Sequence, residues 1–421
     1  MRRGPADWPA RAGIYRPLGR QATRGVSKDD DMNHWDTSLR GSVAITGCAT
    51  AAIGDAGGLT DLEATSLAVH AAVKDAGLQM SQVDGLMSAS LSSSMWVVKL
   101  AEYLGIRPAF SESTGIGGAS FVGHLSIAAA AIRAGLCRNV VIAYGATPRS
   151  GGSIAATSPV RAQLDPFPFE EPYAPFNPPT GYALVAQRHM HQYGTTREQL
   201  AQVALAARSW AALNPEAYRR EPMGLEEVLG ARMISSPLTV RDCCLVTDGA
   251  AAVVVQASDV AQDGPRKPVH VLGTAMAHSH RQIACMEDLT VTAARISGPL
   301  AMERAGITTN DIDVVQLYDA FTINPILFLE DLGFCQKGEG GPFVADGRIA
   351  PGGALPVNTN GGGLSCVHPG MYSLFGIVEA VRQLRADCGA RQVAGAATAL
   401  VQGNGGVLSA QASTVFSIHR G

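Results

Sequence analysis

AGLQMSQVDGL (residues 76–86) and AGITTNDIDVV (residues 305–315) are one local pattern written twice. Each follows a stretch with helical apolar spacing, passes a glycine suited to closing that helix, and ends in apolar residues that read as a strand. A second echo lies further along both copies. GGASFV (residues 117–122) corresponds to GGLSCV (residues 362–367), and each precedes a long helical pattern and then a strand. Two echoes in the same order imply a duplicated unit and a pseudo-two-fold arrangement of two halves.

Around the first copy the chain reads as strand, helix, strand, helix, strand. GSVAITGCATAAIG opens it, DLEATSLAVHAAVKDAG is the first helix, and VDGLMSAS is the second strand. ASFVGHLSIAAAAIRAG is a long helix that precedes the buried strand NVVIAYGA. Short connections between these elements predict an α/β fold with a parallel sheet covered by helices. The duplication makes two homologous sheets packed through helices the expected architecture. The first half spans 41–149 and 245–260, where DGAAAVVVQAS resumes the sheet, and the second half spans 261–421. The intervening 150–244 is an insertion that begins with SPVRAQLDPFPFEEPYAPFNPP, too rich in proline for regular structure and long enough to serve as a substrate lid. Residues 1–40, rich in arginine, proline and glycine and without an apolar core, read as a disordered or mis-started extension, not a secretory signal.

Composition excludes several classes. The 421 residues carry a formal charge of −3, so nothing marks a nucleic-acid or anionic-membrane surface. No apolar run approaches the roughly 18 residues of a membrane-spanning helix. The eight cysteines show no CxxC and no Cys/His spacing suited to zinc. Neither GxGxxG after a strand nor GxxxxGK occurs, so no dinucleotide or NTP site is expected.

Four polar segments fall where the two halves can meet: GGASFVGH, QLYDAF, NGGGLSCVHPGMY and VQGNGG. Facing helix N-termini there would suit an oxyanion. His368, followed by Pro369, reads as standing at a helix start, either as a cap or core residue or as a neutral donor or base. VVQLYDAFT (residues 314–322) places Tyr318 and Asp319 at the end of a strand, where α/β proteins keep their chemistry. Asp319, like Asp248, reads as an acceptor for backbone N–H groups.

DGAAAVVV, NTNGGG with HPG, YDAF and the final GNGG, together with FLEDLGFCQKGEGGPFV, resemble the thiolase superfamily from about Gly41 onward, and within it the sterol-carrier and lipid-transfer-protein branch. The resemblance implies a thiolase fold with mixed sheets on shared central helices, a CoA-binding role for the insertion, and a coenzyme A thioester as substrate with no tightly bound cofactor or metal. It also exposes departures. The nucleophilic cysteine position is Gly118, the second cysteine position is Val401, and Tyr318 stands where thiolases have Asn or His. Without a thiolate the double-displacement route is lost. The steroid side-chain aldolases of this branch share that loss, and their tyrosines match Tyr318 and Tyr372 by motif. The implied reaction is retro-aldol cleavage of a β-hydroxyacyl-CoA, with Tyr318 as base, Tyr372 as acid and His368 as donor to the thioester oxygen; the exchanged roles for the tyrosines stay open. Cys244, Tyr182 and Gly403 are expected at the CoA and acyl cleft. A thiolase or acyltransferase using Cys244 or Cys366, and a non-catalytic acyl-CoA-binding subunit, remain as alternatives. The resemblance further implies a bacterial cytoplasmic homodimer that works with a small OB-fold, zinc-ribbon protein.

Overall fold

The computed structural model describes residues 39–151 and 170–421. Almost all of the N-terminal extension, and Phe167 and Phe169 of the proline-rich loop, lie outside the described residues.

The duplicated passage folds the same way twice. Helix α1 (Asp61–Asp75) is followed by Gly77 in the left-handed region, φ 72°, a single 3-10 turn and strand β2 (Gly85–Ser88). Its counterpart α8 (Ala294–Ala305) is followed by Gly306, φ 65°, another 3-10 turn and strand β9 (Val314–Leu317). Under each helix runs a strand with a glycine that lets the backbones touch. Those strands are β1 (Val43–Gly54) and β8 (Val269–His278). A Cβ at Gly47 would lie 2.1 Å from Ala72 O, and one at Gly273 would lie 2.1 Å from Ala301 O.

Between these lie α2 (Trp96–Leu104), β3 (Phe110–Glu112), α3 (Ser120–Arg133), β4 (Asn139–Ala146), α4 (Pro179–Tyr193), α5 (Arg197–Ala212), α6 (Leu225–Leu229), the small ribbon β5 (Met233–Ser235) and β6 (Leu238–Thr239), β7 (Asp248–Ala257) and α7 (Ser258–Ala261). The second half continues with α9 (Ile323–Asp331), α10 (Gly340–Val344), α11 (Ser373–Leu384), β10 (Thr398–Gly405) and β11 (Ala410–Ser417).

The order is β3-β2-β4-β7-β1 and then β8-β11-β10-β9. Of the three strands in the βαβαβ reading, β2 and β4 pair in parallel while β1 pairs with neither; β3, which that reading did not include, joins β2 in parallel. The resumed strand β7 inserts antiparallel between β4 and β1, which makes the sheet mixed. The two half-sheets are also hydrogen-bonded to each other, through Ala44–His270 and Ile45–Val269. That junction is two residue pairs long and carries no sequence signal. Helices α3 and α11 touch each other and serve both halves: α3 packs on β8, β10 and β11 as well as β4 and β7, while α11 packs on β1 and β7 as well as β9 and β10. Helices α1 and α8 cover the outer faces. Among the described residues, no helix is long and apolar enough to cross a membrane.

Candidate active site

Four segments meet at the ring of Tyr318. Its N–H still bonds Gln402 O on β10 (3.1 Å), so the ladder sets the point from which the side chain departs. The ring is 5% exposed. It covers Gly118, just before α3: a Cβ there would lie 2.1 Å from Tyr318 Cε2 and 2.7 Å from Asn404 O. No side chain fits at 118 while this tyrosine keeps its place. The hydroxyl of Ser373, at the start of α11, donates to Gly118 O and ties the two central helices together at their N-termini.

Tyr318 Oη sits 3.2 Å from His368 Nε2 and 3.3 Å from Gly370 O. Burial, and then Cys244, Tyr182 and Tyr144, hold the phenol well above its usual range; the Tyr372 backbone N–H opposes them by favouring the ionised form. The rings of His368 and Tyr372 both meet that of Tyr318 edge to face, with centroids 5.5 and 5.9 Å away. Burial pushes His368 down to about 4, so its imidazole is neutral at pH 7. Tyr372 donates to Asn360 Oδ1 (2.9 Å). Burial, followed by Asp319 and Cys366, raises its phenol well above the usual range.

The turn bearing His368 is pinned from the first half. Its N–H donates to Thr247 Oγ1 (2.8 Å), and Tyr144 Oη on β4 donates to Pro369 O (2.6 Å). His368 was expected at a helix start; instead α11 begins at Ser373, because Gly370 in the left-handed region, φ 96°, interrupts the helical path. The preceding NTNGGG is read differently too. Its glycines approach protein groups: a Cβ at Gly362 would stand 1.9 Å from Asp319 Oδ2, and one at Gly361 would meet Ala211. Asp319 accepts from the N–H groups of Gly363 (2.6 Å) and Leu364 (3.3 Å). Burial raises its carboxyl to about 7 against those two bonds. Asp248 accepts from Ala56 N (2.8 Å) and Arg149 N (2.7 Å).

The three cleft positions diverge. Cys244 is partly exposed and bonds Ala320 O through its N–H (2.8 Å). Tyr182 is 2% exposed, stacks on Phe321 at 4.3 Å, donates to Gly406 O (3.0 Å) and accepts from Asn404 Nδ2 (2.9 Å). Gly403 is wedged against Val122, Ala119 and Ser373. Tyr182 and Gly403 therefore lie in packed interior, as Tyr318 and Tyr372 do. Val401 is buried on β10. Burial pushes the thiols of both Cys244 and Cys366 up from their ordinary range, which favours the thiol over the thiolate that attack would need.

Sequence reading missed the polar trio before the glycines. Asn358 Oδ1 accepts from Leu317 N (2.7 Å), Thr359 Oγ1 donates to Glu379 Oε1 (2.7 Å) and accepts from Gln316 Nε2 (3.0 Å), and Asn360 receives Tyr372. Three polar residues leading into a glycine run were the available signal.

A thiolase C-terminal domain-like family model matches residues 275–418. Over 411 residues the chain is 33% identical to an acetyl-CoA acetyltransferase of Methanothermobacter thermautotrophicus, covering 94% of this chain and 99% of that protein. Over 360 residues it is 34% identical to the steroid side-chain-cleaving aldolase of Thermomonospora curvata, covering 82% and 91%. The solved Ltp2-ChsH2(DUF35) aldolase is similar with a TM-score of 0.81 at 31% identity, over 90% of this chain and 98% of that one. These similarities define an α/β protein of thiolase architecture. The chain belongs to the thiolase superfamily, and its relatives include an aldolase as well as an acetyltransferase.

Proposed function

We propose that this protein is a carbon–carbon lyase that cleaves a β-hydroxyacyl-CoA, on a steroid or other lipid side chain, into a ketone or aldehyde and a short acyl-CoA. The observation that supports the reading is the ring of Tyr318 lying over Gly118, the position at which thiolases carry their nucleophile. Retro-aldol cleavage needs no covalent intermediate. With Tyr318 ionised, the β-hydroxyl proton passes to its phenolate oxygen as the Cα–Cβ bond breaks, and the bonding pair passes to the α-carbon and thioester oxygen as an enolate. Tyr372 then gives its proton to the α-carbon, and the proton gained by Tyr318 passes to Tyr372 through solvent to restore the starting state. Neutral His368 supplies an Nε2–H that the thioester oxygen shares with Tyr318. The same Nε2–H, with the Tyr372 backbone N–H, is what a tyrosinate at 318 requires.

The insertion supplies the CoA surface in this reading. Tyr218 N–H and Arg219 N–H bond Cys366 O (3.1 Å) and Ser365 O (2.9 Å), so this arginine-bearing segment runs beside the His368 turn. Arg149 and Arg219 lie over the Tyr218 ring at 4.9 and 5.1 Å. Their guanidiniums suit the phosphates of coenzyme A. The chain works as a homodimer in the cytoplasm, and a small OB-fold protein completes the lid. The aldolase whose fold it shares is an Ltp2-ChsH2(DUF35) assembly, and Tyr173 and Phe176 here are 84% and 64% exposed.

The test is a panel of steroid and non-steroid β-hydroxyacyl-CoA thioesters, assayed with the chain alone and with the OB-fold protein. Release of a free carbonyl product with a short acyl-CoA is expected. Turnover that requires free CoA would overturn the reading.

A further inference from the structure

Resting on that reading, we infer that Asn360 is a positioning residue that keeps the Tyr372 hydroxyl proton in place and so fixes Tyr372 as the acid and Tyr318 as the base. The orientation of the Asn360 amide is settled by its neighbours. Its Oδ1 lies 2.7 Å from the backbone nitrogen of Gly362 and 2.9 Å from Tyr372 Oη. A backbone N–H only donates, so the atom facing it is the amide oxygen and not the NH2 group. That oxygen only accepts, so Tyr372 is the donor. Ionised, Tyr372 would face a carbonyl oxygen at hydrogen-bond distance with no proton between them, close to the carboxyl of Asp319. Tyr318 Oη also faces a carbonyl, Gly370 O at 3.3 Å, but it has in addition His368 Nε2 at 3.2 Å, a group that can donate to an oxyanion there. The two tyrosines of this buried cluster are thus distinguished by the imidazole beside Tyr318 and by the Asn360 amide oxygen beside Tyr372.

Asn360 is 6% exposed and follows Thr359, whose hydroxyl bonds both Glu379 and Gln316. Its backbone carbonyl accepts from Asn214 Nδ2 (2.9 Å). The Asn360 backbone is therefore anchored, and its amide oxygen is held in place by the Gly362 N–H as well as by Tyr372. During turnover the phenol would have to leave this acceptor to protonate the α-carbon and return to it when reprotonated.

The experiment compares wild type with Asn360→Ala, Asn360→Asp, Tyr372→Phe and the Asn360→Ala/Tyr372→Phe pair. The first readout needs no substrate: tyrosinate absorbance near 295 nm across the alkaline range in which the far-UV circular dichroism is unchanged. Asn360→Ala should bring one additional tyrosine into titration at least about one pH unit lower. Asn360→Asp, which keeps an acceptor in place, should not, and the paired variant should lose the additional titration. No new titrating tyrosine in Asn360→Ala would overturn the inference, as would one that persists without Tyr372. The second readout is the alkaline limb of kcat on any β-hydroxyacyl-CoA that the enzyme cleaves. It should move down in Asn360→Ala, since an acid must stay protonated; a rise in kcat would make Tyr372 the base and contradict the assignment. Unchanged kcat in Tyr372→Phe would instead count against the lyase reading itself, with the titration result standing.

Discussion

Gly118 and Tyr318 define each other. The ring occupies the volume in which a side chain at 118 would begin, and the opposite wall is the Asn404 carbonyl, which cannot rotate away. Gly118→Ala should therefore cost about 1–3 kcal/mol by overpacking. It should also displace Tyr318 and lower kcat by at least about tenfold, a loss measurable by thermal melts and turnover on one preparation. Tyr318→Phe keeps the ring and removes only the hydroxyl. Its melting temperature should stay close to wild type while kcat falls by about 10²- to 10⁴-fold. A Phe variant with wild-type kcat would remove Tyr318 from the proton-transfer step.

The paired elements were readable because their signals are local. The Ala-Gly ends of α1 and α8, followed by short 3-10 turns and strands, stand in both copies of the opening sequence. Tyr318, His368 and Tyr372 were recognisable as candidates from their motifs, and the structure brings their rings together. What could not be read depends on side chains meeting across long sequence separations. Asn358 gives no local hint that its amide oxygen holds Leu317 N–H at the end of β9. It also adopts a left-handed backbone, φ 53°, that Asn tolerates better than most residues. Asn358→Ala should destabilise the fold by about 1–3 kcal/mol, from a buried N–H left unpaired, with urea denaturation as the measure. Helix α3 carries a second such feature. His124 on it is fully buried, and burial pushes it down to about 4 from 6.5. A histidine with a depressed folded pKa contributes stability that is present above 6.5 and lost as pH falls toward 4. His368 behaves in the same direction, whereas Asp319, raised from 3.8 to about 7, contributes stability that is lost as pH rises across that interval. His124→Leu should accordingly show a smaller fall in melting temperature between pH 6.5 and 4.5 than wild type.

At the scale of the molecule, the two halves share one site because each holds the other's parts. Tyr144 and Thr247 pin the His368 turn of the second half, and Ser373 joins the starts of α3 and α11. Among the described residues, strand β3 ends the sheet with one side unpaired, and Val98 and Tyr103 on the neighbouring α2 are 52% and 50% exposed. A dimer covering that edge is expected by analytical ultracentrifugation, and Val98→Glu should shift it toward monomer; a monomeric wild type would contradict this. The central claim is that carbon–carbon cleavage proceeds here without a thiol nucleophile. The direct measurement is cleavage of a β-hydroxyacyl-CoA with no free coenzyme A, by protein treated with iodoacetamide and compared with untreated protein. The account predicts equal rates, with carbonyl product and short acyl-CoA released one for one. Cleavage that requires added coenzyme A and disappears on alkylation would contradict it.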